Sequence, residues 1–153
     1  MTITHRDFTL TRTYPYSPAE VFDAFADPEK KKLWFGANDG FTNESESWDF
    51  RVGGREQASS RHESGWRSSF DATYADIVPG ERIVFSYVMT FNGEPLSASA
   101  TSITFEPVDG GTLLTHSEHG IHLDEGPDAE LREQGTEELL DNLGRALDSL
   151  AVR

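Results

Sequence analysis

The sequence contains no cysteine. That rules out disulfides, thiol catalysis and zinc sites with sulfur ligands, and it fits a reducing cytoplasm. Lysine is scarce, with all three residues side by side at Lys30, Lys31 and Lys32. No apolar run approaches the roughly 20 residues that a membrane helix needs. Met1 to Leu10 lacks the apolar core of a secretory signal, so a cytoplasmic location without membrane insertion is expected. No nucleophile elbow, Walker loop or dinucleotide glycine fingerprint occurs, and no cofactor is expected.

What is abundant is acid. A net charge of −14 over 153 residues repels phosphates and anionic lipid, so nucleic acid is not an expected partner. Between Glu118 and Asp141 stand nine acids and one base, Arg132. A solubilising acidic face accounts for this. Docking of a protein partner, through that face or through the lysine triplet, is the alternative. With 10 Phe, 4 Tyr and 3 Trp, the chain has enough apolar surface for a single domain over residues 1–153.

Residues 7 to 14 alternate with period two and are rich in Thr and aromatics, which predicts a strand. Ser17-Pro18-Ala19-Glu20 is a helix start with a capping box, and Asp27-Pro28 stops that helix and caps a second, through Glu29 to Trp34. Gly36 to Asn43 reads as loop. Six strand-like runs follow, Glu46–Val52, Arg55–His62, Trp66–Val78, Arg82–Phe91, Leu96–Pro107 and Thr112–His119, separated by turn signals of hairpin length. Gly126-Pro127 closes the sheet region, and a last helix spans about Asp128 to Leu150. The pattern predicts an α+β fold: an antiparallel sheet curled around one long C-terminal helix.

Period two aims Ile83, Phe85, Tyr87, Met89 and Phe91 inward from one strand, and Trp66, Phe70, Ala72 and Tyr74 from another. Ordinary core packing accounts for such faces unless the helix fails to fill the space. At 100° per residue, Leu139, Leu143, Leu147 and Leu150 form its apolar stripe, with Ala146 beside it and Leu140 at its flank, while Asp128, Arg132, Gly135 and Thr136 continue that stripe toward its start. The helix therefore divides into a leucine-rich half and a small, polar half where a cavity mouth is expected. Arg132 there meets either a ligand oxygen or a neighbouring acid. His116, His119 and His122 lie near Glu118, but alternation sends His119 to the face opposite His116 and Glu118, which argues against a metal site. His119 is the histidine placed to face the cavity, with a hydrogen-bonded edge histidine as the alternative.

Several segments, in order, resemble the START-like (SRPBCC) superfamily and its branch related to the activator of heat-shock protein 90 ATPase. They are Ser17 to Phe25 with Asp27-Pro28, Asp49-Phe50-Arg51-Val52-Gly53-Gly54, Tyr74 to Val84, Gly111 to His116, and Gly135 to Leu143. The resemblance implies a helix-grip fold with an internal cavity, in a superfamily of ligand binders, cyclases and co-chaperones. Relatives commonly carry Gly-Trp in the last helix where this chain has Gly135-Thr136. The expected function is non-enzymatic binding of a small, mostly apolar molecule. Its walls are expected to be Trp34, Trp66, Phe70, Tyr74, Phe85, Tyr87, Met89, His119, Arg132, Thr136, Leu139 and Leu143. A co-chaperone or protein-interaction module, or a cavity-based cyclase or hydrolase using His119 or Arg132, are the alternatives.

Overall fold

The computed structural model describes residues 3–35, 40–123 and 128–152. Strand β1 (Thr4–Tyr14) leads into helices α1 (Pro18–Ala26) and α2 (Pro28–Lys31). Then come β2 (Phe41–Trp48), β3 (Arg55–His62), β4 (Arg67–Val78), β5 (Arg82–Phe91), β6 (Glu94–Val108), β7 (Gly111–His122) and helix α3 (Asp128–Ala151). The sheet is antiparallel throughout in the order β1-β7-β6-β5-β4-β3-β2, so β2 to β7 form a meander and β1 joins by pairing with β7. The sheet is curved and unclosed, and α3 lies on its inner face. No described helix is long and apolar enough to cross a membrane.

Both predicted caps form, although the Glu20 carboxylate accepts from the Ser17 hydroxyl, at 3.1 Å, and not from its N–H. The Ser17 side chain accepts from the Glu20 N–H, and Asp27 accepts from the Glu29 N–H at 2.9 Å while its own N–H closes the end of α1. This double duty ends α1 at Ala26 and starts α2 at Pro28. α2 itself ends at Lys31, and residues 32 to 34 form turns instead of the expected further helix.

The predicted strand Glu46–Val52 is corrected to Phe41–Trp48, which pairs with β3 from Phe41↔His62 to Trp48↔Glu56. Residues 49–54 instead form a turn. Gly53 has a positive φ of 82°, and Gly54 donates to the Arg51 carbonyl at 2.8 Å. The predicted loop shrinks accordingly; its residues 36–39, like Gly126-Pro127, lie outside the described residues.

The core joins Val21, Phe22 and Phe25 of α1 to Phe105 and Leu114 of the sheet and to Leu140, Leu143, Ala146 and Leu147 of α3. The helix is rotated slightly from the predicted stripe, so that Leu140 is buried and Leu139 and Leu150 are half-buried. A Cβ added at Gly135 meets nothing within 4 Å. Gly135→Ala is therefore expected to stabilise the fold by about 0.5–1 kcal/mol through helix propensity alone, measured by urea unfolding.

Candidate functional site

Two buried polar groups and a small apolar cavity meet between the sheet and the first half of α3. The first group starts at α2. Lys30 pairs with Asp23 and Lys32 with Glu29, both at the surface, whereas Lys31 points inward. The lysine triplet is thus no free basic patch. Lys31 Nζ lies 2.6 Å from Glu56 Oε1, with side-chain exposures of only 13% and 8%. It also stands 4.7 Å from the ring centre of Phe35 and 4.8 Å from that of Trp48.

Glu56 occupies an inward position on β3, opposite Ala72 of β4. It accepts a second hydrogen bond, at 2.6 Å, from the Tyr74 hydroxyl, which itself accepts from Trp48 Nε1 at 3.0 Å. Burial, and then the Glu56 charge, push the Tyr74 phenol far above its ordinary range. Burial also pulls the Lys31 ammonium below the ordinary lysine range, against the opposing attraction of Glu56.

The second group centres on Glu118. Its carboxylate accepts from the Tyr87 hydroxyl at 2.7 Å and the Thr101 hydroxyl at 3.1 Å, and His116 Nε2 lies 3.5 Å away. Arg132 donates to the Tyr87 hydroxyl at 3.0 Å, to Ser97 at 2.8 Å and to Asp128 at 3.2 Å, and stands 3.9 Å from Glu118. Asp128 in turn holds His122 Nδ1 at 2.6 Å.

Burial opposes the Glu118 charge, but hydrogen bonds from His116 and Tyr87 and the nearby Arg132 outweigh it and hold the carboxyl below its ordinary range. A depressed carboxyl contributes stability above its unfolded pKa, about 4.3, and loses it as pH falls through the folded value. Glu118→Gln is expected to flatten the fall in stability below about pH 4.3, read from urea unfolding across pH.

Between the two groups lies a cavity of about 70 Å³. That is room for about two waters, and roughly half the volume of a cavity that takes up benzene. Of the residues expected to wall it, Trp34, Phe70, Tyr74, Phe85, Thr136 and Leu139 do so. Six do not. Tyr87 packs its ring 4.9 Å from Phe70, behind the wall, and turns its hydroxyl to Glu118. Met89 is half-buried opposite Phe70 but contributes no wall. Leu143 is fully buried in the main core.

Arg132 turns its guanidinium to protein acceptors and lies outside the cavity wall. Trp66 stacks on His62 at 4.7 Å beyond the cavity, with Phe41 and Phe91 around it, because it precedes β4 at the far end of the sheet. His119 is corrected outright: it faces solvent, 71% exposed, beside Asp7 at 3.1 Å. The even positions of β7 face inward, so His116, on the same strand, lines the cavity instead.

The sequence reading missed Lys31, Glu56 and His116. A signal for Glu56 existed: period two puts it on the same face as Ala58, and an acid on an inner face demands a donor. Among the described residues no three His or carboxylate side chains converge as metal ligands do.

An unclosed antiparallel sheet gripping a C-terminal helix, with two short helices after the first strand, defines the chain as a helix-grip domain. Residues 15–148 match the family described as Activator of Hsp90 ATPase homolog 1-like protein, and the chain belongs to that family. Among solved structures, it is similar to the Mll3558 protein of Rhizobium loti, with 42% identity, 95% of this chain and 99% of that one covered, and a TM-score of 0.88. It is also similar to a putative uncharacterized protein of Rhizobium leguminosarum, with 35% identity, 97% of each chain covered and a TM-score of 0.91. An AHSA1-like protein of Aeromonas hydrophila shares the fold at 17% identity, 97% and 96% coverage and a TM-score of 0.69. No curated protein matches the sequence.

Proposed function

We propose that this protein binds a small, mostly apolar molecule between the sheet and α3, with one oxygen of that molecule directed at Lys31. The observation that carries this reading is the Lys31 ammonium on the wall of an aromatic cavity. A buried ion pair is a poor way to stabilise a core, because an apolar replacement of similar volume is often as stable or more so. A carbonyl or carboxylate entering the cavity gains a cationic partner that is already desolvated and oriented. The cavity is smaller than sites for drug-sized ligands, which run to about 300–1,000 Å³. Phe35, Phe70 and Leu139 are only half-buried, and their displacement is the route by which the cavity enlarges.

The reading is of a binder and not an enzyme. His119 lies on the outer face, and the Arg132 guanidinium already donates to Tyr87, Ser97 and Asp128. A thermal-shift panel of small aromatic ketones and carboxylic acids tests it. A ligand at 100 times its Kd is expected to add about 2.7 kcal/mol of stability. Thr136→Trp, which puts an indole into the cavity wall, is expected to abolish that gain. No shift with any member of the panel overturns the reading.

The family description favours a second reading, docking to a chaperone ATPase. Exposed Glu130 and Glu138 on α3, in no ion pair among the described residues, support it. It predicts a partner whose binding weakens as salt rises, and salt-insensitive binding overturns it.

A further inference from the structure

His116 carries a buried ring nitrogen, Nδ1, that has no hydrogen-bond partner among the described residues. The residue is 8% exposed, its ring stacks parallel to Phe8, and it forms part of the cavity wall. Its Nε2 faces Glu118 Oε1 at 3.5 Å. That oxygen belongs to a carboxylate already taking hydrogen bonds from Tyr87 and Thr101 and standing beside Arg132. An ionised carboxylate only accepts, so Nε2 carries a proton, and in the neutral tautomer this leaves the lone pair on Nδ1. Nδ1 is buried and has no hydrogen-bond partner among the described residues. The wall hydroxyls of Thr136 and Tyr74 donate elsewhere, to the Arg132 carbonyl at 2.8 Å and to Glu56 at 2.6 Å. Buried acceptors are normally satisfied, and this one belongs to a residue of the cavity wall.

We infer that the occupant of the cavity donates a hydrogen bond from a hydroxyl or N–H group to His116 Nδ1. The inference rests on the binding reading above and extends it. The occupant is amphipathic at two points: an oxygen that accepts from Lys31, and a donor that meets His116, with an apolar body between aromatic and leucine side chains. Hydroxyaryl ketones and hydroxyaryl acids have this chemistry, and hydrocarbons and simple fatty acids lack the donor. Glu118 is the positioning residue, since it fixes which ring nitrogen carries the proton. The Tyr87 and Arg132 contacts hold Glu118 in turn, so the polar half of α3 acts on the cavity through His116.

The test compares phenol with toluene, which differ by one donor, at about pH 8, where an ordinary histidine ring is neutral. Titrations are followed by isothermal calorimetry on the intact protein and on His116→Phe. Phenol is expected to bind the natural protein about tenfold more tightly than toluene, and His116→Phe to erase that preference while still binding toluene. ¹⁵N spectra of the natural protein give a second readout that does not depend on the variant folding. Phenol is expected to move the His116 Nδ1 resonance toward the hydrogen-bonded position, with Nε2 remaining protonated, and toluene to leave it unmoved. Equal affinities, a preference that survives in His116→Phe, or an unmoved Nδ1 resonance in the phenol complex overturns the inference and leaves the binding reading standing. Binding of neither probe nor any panel ligand overturns both.

Discussion

Lys31→Met is expected to destabilise the protein by about 3–5 kcal/mol, although it replaces a charged side chain with an apolar one of similar length. The cause is what it leaves behind. Glu56 is left at 8% exposure with, among the described residues, only the Tyr74 hydroxyl to satisfy it, and breaking a buried pair from one side is far more costly than keeping the pair. The double variant Lys31→Met/Glu56→Gln removes both charges while the amide still accepts from Tyr74. It is expected to recover most of the loss and to lie within about 1 kcal/mol of the natural protein. The coupling between the two sites, read from a double-mutant cycle in urea, is therefore expected to be large and favourable. A cost below about 1 kcal/mol for Lys31→Met alone would mean that the ammonium reaches solvent and is not part of the cavity wall.

The second large effect is at Gly111, the glycine that opens β7 after the turn. Gly110 and Gly111 end the β6–β7 hairpin for different reasons. Gly110 has a positive φ of 80° and open space around it, so Gly110→Ala is expected to cost about 1–2 kcal/mol of backbone strain. Gly111 has ordinary φ, but a Cβ there would sit 2.0 Å from the Tyr14 carbonyl oxygen and 3.0 Å from Pro15 Cα. Those atoms are backbone of the chain leaving β1 and cannot rotate away. Gly111→Ala is expected to force β1 and β7 apart where Tyr14 pairs with Thr112, at a cost of roughly 3 kcal/mol or more. Thermal unfolding of the two variants side by side checks the order: Gly111→Ala should melt well below Gly110→Ala.

The same pair shows where the sequence is legible. Asp109-Gly110-Gly111 announces a hairpin, because turn chemistry is local, and every helix start and every strand after residue 55 was readable from caps, turns and alternation. Tyr14 approaching Gly111 is a contact across almost a hundred residues, and no local signal carries it. The cavity wall divides similarly. Phe70, Tyr74 and Phe85 follow from period two, as does Thr136 from the helix angle.

Lys31 does not follow, because its direction depends on a four-residue helix set by Asp27, and its partner Glu56 is on another element. His119 and His116 show the limit of alternation: it separates the two faces of β7 but does not say which one α3 covers. Only the register with β6, where His116 meets Ile103 and Glu118 meets Thr101, places His116 and Glu118 inside.

The central claim is that a ligand enters between the sheet and the first half of α3. It is tested most directly by mapping methyl resonances with the ligand that gives the largest thermal shift. Binding at this site is expected to move the methyl signals of Ile83, Ile103, Leu139 and Leu140, which line the cavity, and to leave exposed Val52 and Val88 in place. Shifts confined to surface methyls, with those four unmoved at saturation, would contradict it.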